Sequence, residues 1–197
     1  MKTTTIALIT IVVLLLFVGG CGCTQYNGLV DADQGVKTAW SNVETNYQRR
    51  TDMYSSIVKT VSASANFEKS TLTAVVDARA KATSVNVDVN DSTSLANFQA
   101  AQSQLSGSFS RLMAVAESYP DLKTTDAFRD FQTNIAGTEN RIGIARRDYN
   151  SAVQDYNLKV KRFPGNIFAG MFGYHEKPFY KADEGAEKNP DINFDIK

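Results

Sequence analysis

The side chains that most often hold metals or move protons are scarce in this sequence. It carries one histidine, His175, and two cysteines, Cys21 and Cys23. Zinc and copper sites need three or four convergent nitrogen or sulfur ligands, and both cysteines stand at the end of an apolar N-terminus, far along the chain from His175. A serine-histidine-aspartate triad would hang on His175 alone. Neither a phosphate-cradling glycine loop nor a dinucleotide fingerprint is present. No metal or cofactor is expected, and the chain is not read as an enzyme.

Carboxylates remain. Di-iron bundles pair a glutamate with a histidine three residues on, whereas Glu117 is followed at that distance by Pro120 and Glu139 by Ile142. The two glutamates are better read as ion-pair partners for Arg50, Arg141, Arg146 and Arg147. Asn150 and Asn157 are seven residues apart and share one helix face, where side-chain amides fix register by hydrogen bonding across a bundle. Together with Asn140 and Asp148 these residues form either a structural polar network or a docking face for a protein partner. A further reading is an enzyme or accessory factor using residues 138–157 on an envelope substrate, which would need a pocket of convergent polar groups.

The element that positions most of them is a long helix over residues 125–163. Phe128, Ile135, Ile142, Tyr149, Tyr156 and Phe163 recur every seven residues, with Phe131, Thr138, Ala145 and Ala152 three places after four of them. That is the seam of a helix packed against other helices. Upstream, Leu29, Asp33, Val36, Trp40, Val43, Tyr47, Arg50, Tyr54, Ile57 and Val61 keep a three-four spacing, predicting a first helix of nearly forty residues with Arg50 as a snorkelling or ion-paired exception. Leu72, Val75, Val76 and Ala82 mark a shorter helix over residues 70–82. Valines alternate over residues 84–92, but the intervening Asn and Asp favour an extended loop. A third long stripe runs from Leu95 through Phe98, Gln102, Leu105, Phe109, Leu112 and Ala116 to Tyr119, with Ser92 or Ser94 as its cap. Pro120 ends it, and Thr124 or Thr125 caps the long helix. Short links between such helices predict an antiparallel four-helix bundle. After Pro164, Ile167, Phe168, Met171 and Phe172 predict one or two apolar turns that close the bundle end or touch a membrane. Residues 177–197, rich in charge, read as a poorly ordered tail.

The fold class expected is therefore all-α: an N-terminal membrane anchor over residues 1–24, a helical bundle over residues 25–174 and a flexible tail over residues 175–197. Residues 6–20 form an apolar run interrupted only by Thr10. Its fifteen residues rise about 22 Å as a helix, short of the roughly 30 Å hydrocarbon core without flanking residues. Two readings fit it: a transmembrane anchor, or a bacterial lipoprotein signal in which Cys21 becomes the acylated first residue. Both place the protein on a membrane. With Lys2 before the run and Asp31 and Asp33 after it, the body is expected on the extracytoplasmic side, in the periplasm or at the cell exterior, with an outer-membrane lipoprotein as one variant.

Composition narrows the partners. The chain has 197 residues, 43% of them hydrophobic, enough for one domain with a buried core. Lys plus Arg and Asp plus Glu both number 21, so no net field favours a polyanion, and nucleic acid is not an expected partner. A membrane and a protein partner are expected; oligomeric state is left open by the sequence.

Several ordered segments also resemble one family. They are Tyr26-Asn27-Gly28-Leu29-Val30, Ala39-Trp40-Ser41, Arg49-Arg50-Thr51-Asp52, Ala116-Glu117-Ser118-Tyr119-Pro120-Asp121-Leu122-Lys123, Thr138-Glu139-Asn140-Arg141-Ile142, Ala145-Arg146-Arg147-Asp148-Tyr149-Asn150, Tyr156-Asn157 and Phe172-Gly173-Tyr174. With these the chain resembles the LemA family of bacterial membrane-anchored helical proteins. The resemblance implies an N-terminal membrane segment and long antiparallel helices, and supplies no activity. The functions expected are a protein-interaction or scaffolding role in the cell envelope, the enzymatic alternative above, or a membrane-surface or self-assembling structural element.

Overall fold

The computed structural model describes residues 3–62 and 67–181; within the first helix the side chains of residues 3–7, 10, 14–18 and 21 lie outside that description. Every regular element among the described residues is helical: α1 (Thr3–Ser62), α2 (Lys69–Ser84), α3 (Ser92–Ala116), α4 (Pro120–Lys123), α5 (Asp126–Lys161) and α6 (Gly165–Phe172). The chain is all-α. The 60 residues of α1 join the apolar N-terminal run to the predicted first helix without a break. Ser55 lies within it and donates its hydroxyl back to the Thr51 carbonyl at 2.7 Å.

The helices fall into two compact units. One takes in the chain up to Arg50, Val89–Ser92 and Asn134–Phe179; the other takes in Thr51–Asp88, Thr93–Thr133 and the chain from Tyr180 on. In the first unit the apolar stripes of α1 and α5 are removed from water. Leu29, Val36, Trp40, Val43 and Tyr47 are buried on α1, and Ile142, Ala145, Tyr149, Val153 and Tyr156 on α5. Trp40 meets Tyr149 edge to face, with centroids 5.3 Å apart.

The second unit has an aromatic centre. Tyr54 of α1 stacks on Phe109 of α3 with ring centroids 3.7 Å apart, and Phe131 of α5 stands 5.0 Å from Phe109. Leu95, Phe98, Leu105, Leu112 and Ala116 bury one face of α3, as their spacing requires. On α2 the buried positions are Thr71, Val75, Ala78 and Ala82. Leu72 is half-buried and Val76 is exposed, one position off the expected stripe.

Several local expectations are corrected. Phe163 lies beyond the end of α5 and is 80% exposed, so the seam ends at Tyr156. The turn after Lys161 takes the chain out of the seam before its sixth place is reached. Pro120 opens α4 instead of ending α3, since proline suits the first helical turn. Thr124 and Thr125 do not cap α5 with their hydroxyls. These donate back to the Asp121 and Leu122 carbonyls, at 2.8 and 2.7 Å, and the Thr125 carbonyl accepts from Phe128 and Arg129. Ser92 and Ser94 fall inside α3, where the Ser94 hydroxyl accepts the Asp88 N–H at 3.0 Å and ties down the preceding loop. That loop forms no strand, starts extended at Val85 and turns at Val89 and Asn90.

Among the described residues no helix is long and apolar enough to cross a membrane. Cys21, the candidate lipidation residue, has its side chain outside the description, and so do residues 182–197 of the expected tail. The described start of that tail is partly packed into the protein: Lys177 and Tyr180 are buried, while His175, Glu176, Phe179 and Lys181 are exposed.

Candidate functional site

Asn157 is the pivot of the polar chemistry in the first unit. The stripe that buries Tyr149, Val153 and Tyr156 also turns Asn157 inward. Its side-chain amide does not reach across to another helix side chain. It donates to the Lys177 carbonyl at 2.9 Å and accepts the Lys177 N–H at 2.9 Å, reading both polar groups of one main-chain residue. The two tyrosines beside it do the same to neighbouring peptide units. Tyr156 donates its hydroxyl to the His175 carbonyl at 2.9 Å, and Tyr149 donates to the Pro178 carbonyl at 3.1 Å. Burial pushes both phenols up to about 12, that of Tyr156 with help from the Asp33 charge, so both remain donors at physiological pH. Residues 174–179 are thereby strapped onto α5 through their backbone.

The strap begins where α6 stops. Gly173 adopts φ 74°, the left-handed conformation that glycine enters without a Cβ penalty, and the Tyr174 N–H returns to the Ala169 carbonyl at 2.9 Å. The strap's side chain then completes the site. The Lys177 ammonium bonds Asp33 of α1 at 2.8 Å, bonds the Asn90 amide oxygen, and lies 5.0 Å from the centroid of the Tyr156 ring. Lys37, one turn along α1, bonds the same aspartate at 2.8 Å. Burial disfavours the Asp33 carboxylate, but the hydrogen bonds from Lys177 and Lys37 outweigh it and hold the carboxyl below its usual range. Lys37 is raised in turn by its hydrogen bond to Asp33. Asp33, Lys37, Asn90, Tyr156 and residues 173–177 line an open cleft of about 430 Å³.

A second cluster in the same unit centres on Tyr47. Arg146 of α5 donates to the Tyr47 hydroxyl through Nε at 2.9 Å and also through Nη2. The guanidinium groups of Arg50 and Arg146 lie 4.7 and 5.5 Å from the Tyr47 ring centroid. Arg50, 3% exposed, reaches Glu139 at 3.4 Å, while Glu139 keeps 45% of its side chain in solvent.

The sequence-derived residues thus separate into groups. The buried Arg50 reaches the exposed Glu139, the half-buried Arg146 bonds the buried Tyr47, and Asn157 and Lys177 meet inside the first unit. Asn150 is half-buried, and Asn140, Arg141, Arg147 and Asp148 are exposed on α5. Glu117 is exposed just past the end of α3 and belongs to the second unit. Asp33, Asn90 and Lys177 were missed as site residues. Asp33 was visible as a polar exception on the α1 stripe, whereas nothing in the composition around Lys177 marked it for burial. His175 engages through its carbonyl, and among the described residues no three His, Cys, Asp or Glu side chains are grouped to hold a metal ion.

Comparison with known proteins gives a consistent picture. The model of the LemA family matches residues 39–194. The magnetosome protein MamQ 2 of Paramagnetospirillum magneticum is 24% identical over 176 residues, taking in 80% of this chain and 65% of that relative. The magnetosome protein MamQ of Magnetospirillum gryphiswaldense is 23% identical over 179 residues, 78% of this chain and 66% of its own length. The protein LemA of Metamycoplasma hominis is 25% identical over 158 residues, 80% of this chain and 69% of the relative. The chain thus spans just under two thirds of the length of the magnetosome relatives it matches.

Proposed function

This chain belongs to the LemA family, and from that premise we propose that it is a membrane-anchored, non-enzymatic scaffold of the bacterial cell envelope, built as an antiparallel four-helix bundle that works by contact with another protein. The observation that carries the reading is the continuity of α1. One helix runs from Thr3 to Ser62, so the apolar N-terminal run is an extension of an element whose later turns are packed in protein. Along that run Leu8, Ile9, Ile11, Val12 and Val13 are each more than half exposed. Five such neighbours on one helix need a cover that water does not provide, and a lipid phase supplies it. The anchor is either this helix itself or an acyl group on Cys21, with the body on the extracytoplasmic side.

The polar interior favours scaffolding over catalysis. In the cleft at Asp33 the Lys177 ammonium is already held by Asp33, Asn90 and the Tyr156 face, an arrangement that fixes a backbone. The exposed polar face of α5, with Asn140, Arg141, Arg147 and Asp148, is the surface proposed for the partner. Crosslinking in living cells with the native N-terminus, followed by identification of the adducts, tests the reading. Discrete protein adducts from position 141 or 148 support it; labelling by solvent alone at both positions contradicts it. Intact mass of the extracted protein decides the anchor, since a mass that includes residues 1–20 excludes lipidation of Cys21.

A further inference from the structure

The helix α6 buries the wrong residues for a protein surrounded by water. Its sequence, Gly165-Asn166-Ile167-Phe168-Ala169-Gly170-Met171-Phe172, contains no charge. The side turned to the protein is made of the buried Gly165 and Ala169 and the half-buried Phe168, while Ile167, Met171 and Phe172 are 52%, 71% and 51% exposed. Ile167 and Met171 are one turn apart and share a face. Phe163, 80% exposed, stands just before the helix, next to the exposed Arg162. An uncharged helix that leaves Ile167, Met171 and Phe172 in the open, beside an exposed Phe163, is arranged for an apolar phase outside the protein.

The place of α6 on α1 says which phase. A Cβ on Gly22 would stand 3.0 Å from the Phe168 ring, and one on Gly165 would lie 3.7 Å from the Gln25 amide oxygen and collide with the Lys159 carbonyl oxygen. Tyr26 meets Phe172 edge to face at 4.7 Å. Gly22, Gln25 and Tyr26 are spaced by three and four and so form one face of α1. They follow the apolar run that ends at Gly20, which at 1.5 Å per residue puts them about 3–9 Å beyond its end. The headgroup layer on each side of a bilayer is about 5–8 Å thick. We propose that α6, with Phe163, is an interfacial element that lies in the headgroup layer of the membrane that holds α1, with Phe163, Ile167 and Met171 inserted toward the acyl chains. This rests on the N-terminal run being in that membrane. The occupant is lipid because the exposed face is contiguous with the α1 segment that enters it, and because Arg162 suits an anionic headgroup.

The test uses the full chain in phosphatidylethanolamine/phosphatidylglycerol vesicles, with the photoprobe p-benzoylphenylalanine placed at position 12, 171 or 155, and helicity checked by circular dichroism. Position 12 reports the anchor, position 171 reports α6, and Asp155 is an exposed polar site on α5. The expected result is lipid adducts at 12 and 171, identified by mass, with at least tenfold less at 155. Lipid adducts at 12 but not 171 overturn the inference while leaving the anchor standing. An adduct at 171 to a second copy of the chain, or lipid labelling at 155 equal to that at 171, also overturns it. Adducts at neither 12 nor 171 overturn both readings.

Discussion

Replacing Asp33 with Asn tests the clamp on the strap at its most sensitive atom. The Lys177 side chain is 2% exposed, and among the described residues its ammonium has one anionic partner, Asp33, at 2.8 Å. Stripping the partner from a fully buried ion pair costs about 3–5 kcal/mol, mostly because a charge stays buried without compensation. Here Asp33 keeps 18% of its side chain in solvent, and Asn90 still accepts from the ammonium. The expected loss for Asp33→Asn is therefore about 2 kcal/mol at pH 7. Urea unfolding followed at 222 nm measures it. The sign with pH follows from the depressed carboxyl of Asp33. Its contribution is fully present above the unfolded-state value of about 3.9 and is lost as pH falls through the lower folded-state value. The gap between parent and Asp33→Asn should be constant from pH 7 to about 5 and close in stronger acid. The double variant Asp33→Asn/Lys177→Met, which leaves no buried charge, should recover part of the loss. A change under about 0.5 kcal/mol at pH 7, or a gap that widens in acid, refutes the reasoning.

Other substitutions probe the remaining parts. Asn157→Ala leaves the buried Lys177 N–H and carbonyl without their shared partner and should cost about 2–4 kcal/mol, with faster amide exchange at Lys177. Arg146→Ala takes both guanidinium bonds from the buried Tyr47 hydroxyl and should cost about 1–2 kcal/mol in a thermal melt, which Arg146→Lys should partly restore. Glu139→Ala should cost less, under about 1 kcal/mol, because Glu139 is largely solvated. In the second unit, Phe109→Ala removes the ring between Tyr54 and Phe131 and should cost about 3–5 kcal/mol by chemical denaturation.

What the residue pattern revealed and what it hid have a common physical cause. Periodic burial is repeated at many positions, so Ile142, Tyr149 and Tyr156 on α5 and Leu29 through Val61 on α1 could be read from spacing alone. Arg50 stood out because it broke such a stripe, and its carboxylate partner Glu139 came from the expected segment. Asn157, left by its spacing as either a register-fixing amide or part of a docking face, is buried, and its partner is the backbone of Lys177 and not an amide across a helix seam. Contacts of that kind have no period. Each depends on one side chain meeting one distant peptide unit, and a peptide unit looks the same in every residue. Lys177 was hidden for the same reason, set among charged neighbours that suggest solvent while Asp33 and Asn157 draw it inside. The caps failed differently: hydroxyls at Thr124 and Thr125 had a carbonyl of the preceding turn within reach, and donated backward.

Whether the N-terminal part of α1 holds this protein in a membrane, as proposed, is open to direct measurement. Fractionation of cells producing the full chain, followed by an alkaline carbonate wash and flotation, measures that directly. The protein should pellet with membranes, resist the wash and float with lipid, and Ile11→Asp/Val13→Asp should shift most of it into the wash. Parent protein recovered in the soluble fraction with its N-terminal residues intact would contradict the proposal.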